Sequence, residues 1–407
     1  MAHVVFAVPF ALSTTLRFVR AMGSVPGVRL SLLTQEAPER LPAELRELCA
    51  DVERVGDAMD EAQLAAGVRA LAGRAGGKVD RLVGILEPLQ EKLAAVRAAL
   101  GIPGMSPEVA HNFRDKARMK ELLRAHDLPC ARHGLARTPA EALAFAEDCG
   151  YPLVVKPPAG AGAKNTYRVS SREELEQSLR SLPPRPDEPL LLEEFIVGKE
   201  HSFDSVTIGG QHLFHSITRY YPTPLEVMEN PWLQWAVVLP RSIDVPEYDA
   251  IKSAGPRALD VLGLDTALTH MEWFQRADGS IAISEVAARP PGAQFTSLLS
   301  WAHDLDFYAA WARLVAHGEF QAPERRWSVG CVFLRGQGEG RVQRVHGVAE
   351  AKRELGEVVA EAKLPQPGQP RASSYEGEGH IVLRHAETEV VMQGIKRLFE
   401  LLRIEIA

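Results

Sequence analysis

The sequence predicts an α/β protein of more than one domain, and three observations carry that expectation. Residues 3 to 100 alternate short apolar runs with helix-like segments. Two apolar segments flank an Asp-Gly turn at residues 278–279, which reads as a β-hairpin. A chain of 407 residues is too long for one ordinary core and suits two to four domains.

The elements follow in order. H-V-V-F-A-V reads as a buried strand and L-S-T-T-L-R-F-V-R-A-M as a helix with Ser13 as N-cap. V-R-L-S-L-L and D-R-L-V-G-I-L-E are further strands of a small open α/β layer. No G-x-G-x-x-G follows the first strand, so the dinucleotide fingerprint is absent. The helix P-L-Q-E-K-L-A-A-V-R-A-A-L ends at Gly101, and G-I-P-G-M-S-P reads as a linker. Residues 112 to 126 form one helix with Lys116 and Lys120 on a shared face, a pattern that also fits a solvated basic face. Strand signals with turns at Gly198-Lys199 and Gly209-Gly210 come next. An irregular aromatic segment follows, then a helix over 246 to 263. From about 325, short strands and one amphipathic helix suggest a separate C-terminal lobe.

Composition narrows the function classes. The net charge of −7 gives no basic footprint for nucleic acid, so no nucleic-acid partner is expected. No apolar run is long enough to span a membrane, and the first residues lack the charged region and cleavage site of a signal peptide. Cys49, Cys130, Cys149 and Cys331 are scattered without C-x-x-C spacing, which favours a reducing, cytoplasmic setting over a disulfide scaffold or zinc site.

The hairpin carries the sharpest inference. If Asp278 and Gly279 form a two-residue turn, Ala277 pairs with Ser280 and Glu272 with Glu285. Two carboxylates directly opposite repel, and a hard divalent cation would resolve that conflict. A four-residue turn would keep them diagonal on one face; a three-residue turn would break the argument. Arg289, four positions after Glu285, and His270, two before Glu272, fall on the same face. A surface ion pair between Glu285 and Arg289 is the plainer alternative.

A second region suits phosphates. Lys156 ends an apolar strand and needs an anionic partner if buried. The loop P-P-A-G-A-G-A-K-N behind it, with Gly160, Gly162 and Lys164, could present N–H groups to phosphate. It is not a Walker A loop, since no G-K-[ST] closes it. In L-L-L-E-E-F-I-V-G-K-E, Glu193 and Glu200 bracket an apolar stretch, able to accept from an adenine amino group or ribose hydroxyls.

Taken in order, these motifs resemble the ATP-grasp superfamily, and specifically its carboxylate–amine ligases of the L-amino acid ligase type. The resemblance rests on the helix lysine, the strand-end lysine with its glycine loop, L-L-E-E-F-I-x-G-x-E, H-x-E and E-x-x-x-R-P-x-G, over roughly residues 100 to 320. It implies an N-terminal Rossmann-like layer (1–105), a central ATP-grasp domain (106–322, with lobes 112–190 and 191–322) and a C-terminal lobe (323–407). It implies ATP and Mg²⁺ (or Mn²⁺) as cofactors. Lys116, Lys156, Gly160, Gly162 and Lys164 would meet the phosphates. Glu193, with Glu194, Phe195 and the Ile196 backbone, would hold adenine, and Glu200 the ribose. Glu272 and Glu285 would bind the metal, and Arg289 with Lys156 would serve the chemistry. Where many relatives carry Asn two residues after the second metal glutamate, this chain has Ala287, so one oxygen ligand is missing.

The implied activity is ADP-forming ligation of a small-molecule carboxylate to an amine through an acyl phosphate, of amino-acid or dipeptide type. An ATP-grasp phosphotransferase or carboxylase and a non-catalytic nucleotide-binding protein are the alternatives. Candidate substrate contacts are His201, Asp204, Tyr220, Tyr221, Trp232, Trp235, His270, Trp273 and Gln294. A homodimer is the default expectation.

Overall fold

The computed structural model describes residues 1–160, 165–230 and 232–407. Apolar runs at the N-terminus form a four-stranded parallel sheet in the order Asp51–Arg54, Val28–Thr34, Ala2–Val8, Arg81–Val83. Ser13 is the first helical residue of Ser13–Gly23 rather than its cap; Leu12 takes the cap position and no side chain caps that end. Helix Gln90–Leu100 ends at Gly101 in the left-handed conformation, as its C-terminal signal requires.

The expected single helix over 112 to 126 is two, Pro107–Arg114 and Lys116–Ala125. Asp115 separates them because its carboxylate accepts from the Arg118 amide, a hydrogen bond that favours a new N-terminus over continuation. Lys116 therefore opens the second helix, and its amide donates to the Pro158 carbonyl at 3.1 Å. Lys116 and Lys120 are both buried, so their face is not a solvated one.

A small antiparallel sheet follows, in the order His133–Ala136, Leu190–Glu194, Leu153–Lys156, Tyr167–Val169. The position expected to divide the two lobes, 190/191, lies inside one of its strands. The large sheet has eight strands: Ile281–Ala287, Ala267–Gln275, Lys199–Ile208, Gln211–Tyr221, Trp235–Leu239, Ser328–Leu334, Gly379–His385 and Val359–Lys363. Three C-terminal strands thus continue the same sheet, Val342–His346 and Arg403–Ile406 pair as a separate two-stranded sheet, and two helices, Val348–Leu355 and Thr388–Leu401, accompany them instead of one. Gly209 and Gly210 both take positive φ in the two-residue turn that pairs Ile208 with Gln211, as expected of a hairpin of that length.

Alternation along the strands sorts side chains to two faces. Val206, Tyr220, Trp235 and Leu268 pack towards helices Phe295–His303 and Phe307–His317. Phe203, Met271, Trp273 and Ile283 pack on the other side with residues of helices Lys116–Ala125 and Asp249–Leu262.

Candidate active site

The small sheet and the large sheet meet around a cavity of about 530 Å³. The segment Phe195 to Gly198 joins them and lines it. Gly198 is required there, because a Cβ would lie 2.5 Å from the Gln275 carbonyl oxygen. Ala131, Val154, Phe195, Ile196, Phe274, Ala282 and Ile283 make one end apolar. Lys116, Lys156, Gly160, Glu272, Glu285 and Arg289 line the charged part.

Glu272 and Glu285 do pair directly across the ladder, but not by the expected route. The Ser280 carbonyl accepts from the Arg276 amide at 2.8 Å and Gln275 pairs with Ile281, so the turn has three residues, Ala277 to Gly279. That register alone would break the pairing. A β-bulge opposite Glu272 and Trp273 adds one residue on the returning strand and restores it. Val286 consequently stays in the core, Ile283 lies between the core and the apolar end of the cavity, and Glu285 turns to the cavity.

The lysines are not free. Lys116 Nζ lies 2.9 Å from Glu285 Oε1 and donates to the Gly160 carbonyl at 3.1 Å. Lys156 Nζ lies 2.8 Å from Glu193 Oε2, and Lys120 Nζ 3.0 Å from Glu193 Oε1. Lys120 also donates to the Ser284 carbonyl. Burial opposes ionisation of Glu193, yet the charges of Lys120 and Lys156 prevail and hold its carboxyl at about 2. Glu193 lines the cavity with each of its two oxygens beside an ammonium group, a pairing that the expected adenine role did not include. Glu194 accepts from Arg276 at 3.0 Å. All four adenine candidates, Glu193, Glu194, Phe195 and Ile196, line the cavity. Lys120 was legible as a face-mate of Lys116, but its partner could not be read from spacing.

Glu200 lines the cavity almost fully buried, and burial followed by the charge of Glu272 raises its carboxyl well above the ordinary value. For Glu285, burial works against ionisation, and Lys116 and Lys156 outweigh it and lower the carboxyl. Glu272 and Glu285 are hard oxygen donors in register on the cavity wall, a pair that suits a divalent cation. Among the described residues no three acidic, His or Cys side chains are already gathered as a ligand cluster. The set thus fits a cation that takes further oxygens from a bound phosphate rather than a closed protein cage.

Arg289 lies beyond the strand, lines the cavity, and donates from Nε to Glu87 of the N-terminal layer and from Nη1 to the Pro290 carbonyl at 2.8 Å. It does not contact Glu285 as an ion pair. Gly162 and Lys164 lie outside the described residues.

The substrate candidates divide by face. Tyr220, Trp235 and His270 line the cavity, joined by Phe295 and Tyr375, which sequence reasoning missed. His270 Nδ1 contacts Asp204 at 2.6 Å, placing Asp204 behind the ring. Burial opposes the imidazolium, but Asp204 and then Glu272 raise it to about 10. Alternation sends His201 and Trp273 to the opposite face, where the rings stack with centroids 4.5 Å apart in the core. Gln294 accepts from Arg17 at 3.2 Å outside the cavity lining. Tyr221 packs against the C-terminal core, and Trp232 is 61% exposed.

Comparison with known proteins agrees with this layout. Residues 121–298 match the ATP-grasp domain family. The chain is 36% identical over 124 residues to the carbamoyl phosphate synthase large chain of Rubrobacter xylanophilus, covering 30% of this chain and 12% of that protein. It is 25% identical over 229 residues to the L-arginine-specific L-amino acid ligase of Bacillus subtilis, covering 55% of this chain and 54% of that enzyme. The chain thus spans about half the length of one of these relatives and a small part of the other. A crystal structure of an L-amino acid ligase from Bacillus licheniformis superposes with a TM-score of 0.79 at 21% identity, covering 100% of this chain and 99% of that one. No helix among the described residues is long and apolar enough to cross a membrane.

Proposed function

From a chain that carries an ATP-grasp domain over residues 121–298, we propose an ATP-dependent, ADP-forming carboxylate–amine ligase of the amino-acid or dipeptide type. One observation carries the reading. Two carboxylates in register, Glu272 and Glu285, share one cavity with two lysines, the buried Lys116 and the half-buried Lys156. That is the charge pattern of a metal–triphosphate site, with oxygen ligands for a cation beside ammonium groups for phosphate.

The apolar end beside Phe195 and Ile196 takes the adenine, whose edge the backbone of this segment reads. Glu200 receives the ribose hydroxyls. Lys116 and Lys156 exchange their carboxylate partners for phosphate oxygens. Glu272 and Glu285 would hold Mg²⁺, which supplies charge neutralisation on the phosphates. The substrate carboxylate attacks the γ-phosphorus, ADP departs, and the acyl phosphate passes its acyl group to an amine held in the same cavity with release of phosphate. Arg289 neutralises the phosphate or oxyanion that develops. The aromatic wall of Tyr220, Trp235, Phe295 and Tyr375 excludes water that would hydrolyse the acyl phosphate.

The test is incubation of purified protein with Mg-ATP and a pool of amino acids, small carboxylates and amines, scored by mass spectrometry. ADP with a product equal to two substrates minus water is expected. AMP overturns the acyl-phosphate route; a phosphorylated or carboxylated product places the chain with phosphotransferases or carboxylases instead.

A further inference from the structure

We propose that Glu87, in the N-terminal layer and outside the cavity lining, is a positioning residue that sets Arg289 and ties it to the phosphate loop. The inference rests on the ligase reading for the task of Arg289, and on geometry for the link itself. Glu87 is 7% exposed and occupies a short 3₁₀ turn, Glu87–Leu89, after strand Arg81–Val83. Its Oε2 accepts from Arg289 Nε. Its Oε1 lies 3.9 Å from Arg114 Nη1, and that nitrogen donates to the Gly160 carbonyl at 3.1 Å. Gly160 also accepts from Lys116, which pairs with Glu285. Arg289 follows Glu285 by four residues, so the contacts close a ring around the charged end of the cavity.

The chemistry of the ring explains why a carboxylate stands at residue 87. Arg289 has its Nε satisfied by Glu87 and its Nη1 by the Pro290 carbonyl, while Nη2 makes no hydrogen bond among the described residues. A guanidinium held at Nε and Nη1 keeps Nη2 aimed, with little freedom left to lose when an anion arrives. Removing the anchor leaves the charge in place but lets its direction wander. Arg114 adds a coupling: a displacement of the glycine loop at Gly160 is felt at Glu87 and hence at Arg289. The N-terminal layer thereby contributes to the chemistry without touching a reactant.

The experiment compares wild type, Glu87→Gln, Glu87→Asp, Arg289→Lys and the Glu87→Gln/Arg289→Lys double variant, with thermal melting recorded for each. Glu87→Gln is expected to lower kcat on the order of 100-fold, the effect of misplacing a charge by about 1 Å, with KM for ATP within about threefold. Glu87→Asp recovers part of the loss. The double variant is no slower than the slower single one, because both changes disable the same device. Additive losses, or a kcat loss accounted for by unfolding at the assay temperature, overturn the proposal. If the wild type makes no ADP with any substrate pool, the ligase reading fails separately. The link is then read from the Arg289 Nε–H resonance in ¹⁵N NMR, assigned by its disappearance in Arg289→Lys. A slowly exchanging wild-type signal lost in folded Glu87→Gln supports the anchor, and the same signal in both proteins overturns it.

Discussion

Glu193→Gln separates the geometry seen here from the nucleotide-reading role that the sequence suggested for this carboxylate. Glu193 is 4% exposed and lies between Lys120, which is fully buried, and Lys156. Burial alone would raise its carboxyl, but the two ammonium groups take it from the ordinary 4.5 down to about 2. At about 1.4 kcal/mol per pH unit, that displacement corresponds to about 3 kcal/mol of folded-state stability at neutral pH. The glutamine keeps the shape and removes the charge, leaving two ammonium groups that share a buried site. Loss of one member of a buried pair costs about 3–5 kcal/mol. Lys156 retains attraction to Glu285 and Glu272, so the lower figure is expected. Urea unfolding followed by circular dichroism at pH 7 should show the variant about 3 kcal/mol less stable, while calorimetric ATP binding is unchanged or tighter, since the phosphates no longer compete with Glu193 for the lysines. The pH dependence has a definite sign. A folded-state carboxyl held below its unfolded value stabilises above about pH 4.5 and loses that contribution as pH falls towards 2. The wild-type advantage over the variant should therefore vanish across that window. A stability change below about 1 kcal/mol together with ATP binding weakened at least about tenfold, or about 1.4 kcal/mol, would refute the reasoning and return Glu193 to the adenine.

Three further outcomes are expected. Glu285→Gln removes a proposed cation ligand and the partner of Lys116, and should slow ADP formation by about 10²–10³-fold in a coupled assay at a temperature where the variant stays folded; wild-type rates would show the carboxylate is a spectator. His201→Phe should leave ATP affinity unchanged and cost no more than about 1.5 kcal/mol in urea unfolding, because the ring stacks under Trp273 in the core; a large rise in Kd would place His201 in the site. The His270 imidazole should stay protonated from pH 6 to 9 by ¹⁵N NMR and deprotonate near 10; the stabilisation from its contact with Asp204 is fully present below pH 6.5 and lost as pH rises through about 10, and a midpoint near 6.5 would show that the contact does not form.

Residues whose roles follow from local periodicity were legible in the sequence. Alternation placed Glu272 and His270 on one face, and the strand-end position of Lys156 demanded a buried counter-ion. The identity of that counter-ion was not legible, because Glu193 meets Lys156 and Lys120 through tertiary packing that spacing does not encode. His201 shows the opposite failure. It neighbours Glu200 in sequence, and that adjacency is what sends it to the far side of the sheet. Arg289 lines the cavity as the shared face suggested, but its anchor Glu87 lies 202 residues away in the N-terminal layer and could not be read from spacing.

The hairpin shows why a correct contact can follow from an incomplete argument. A two-residue turn and a three-residue turn with one later bulge differ at every rung near the turn and coincide beyond the bulge. Both place Glu272 opposite Glu285, and only the second has Gly279 as the third residue of the loop, in the left-handed conformation that a G1 turn needs. The bulge has a consequence that the simpler register lacks. It keeps Ile283 and Val286 in the core cluster, with Ile283 also edging the cavity's apolar end, while Glu285 and Ala287 line the cavity. A strictly alternating strand with Ile283 in the core would also bury Glu285 against it, at the cost of an unpaired carboxylate. The extra residue reconciles an apolar strand with a carboxylate that must leave it, and bulges of this kind re-aim side chains beside functional sites. The same irregularity leaves the Ser284 carbonyl to accept from Lys120. One inserted residue thus sets both the carboxylate that faces the cavity and a contact of the buried lysine behind it.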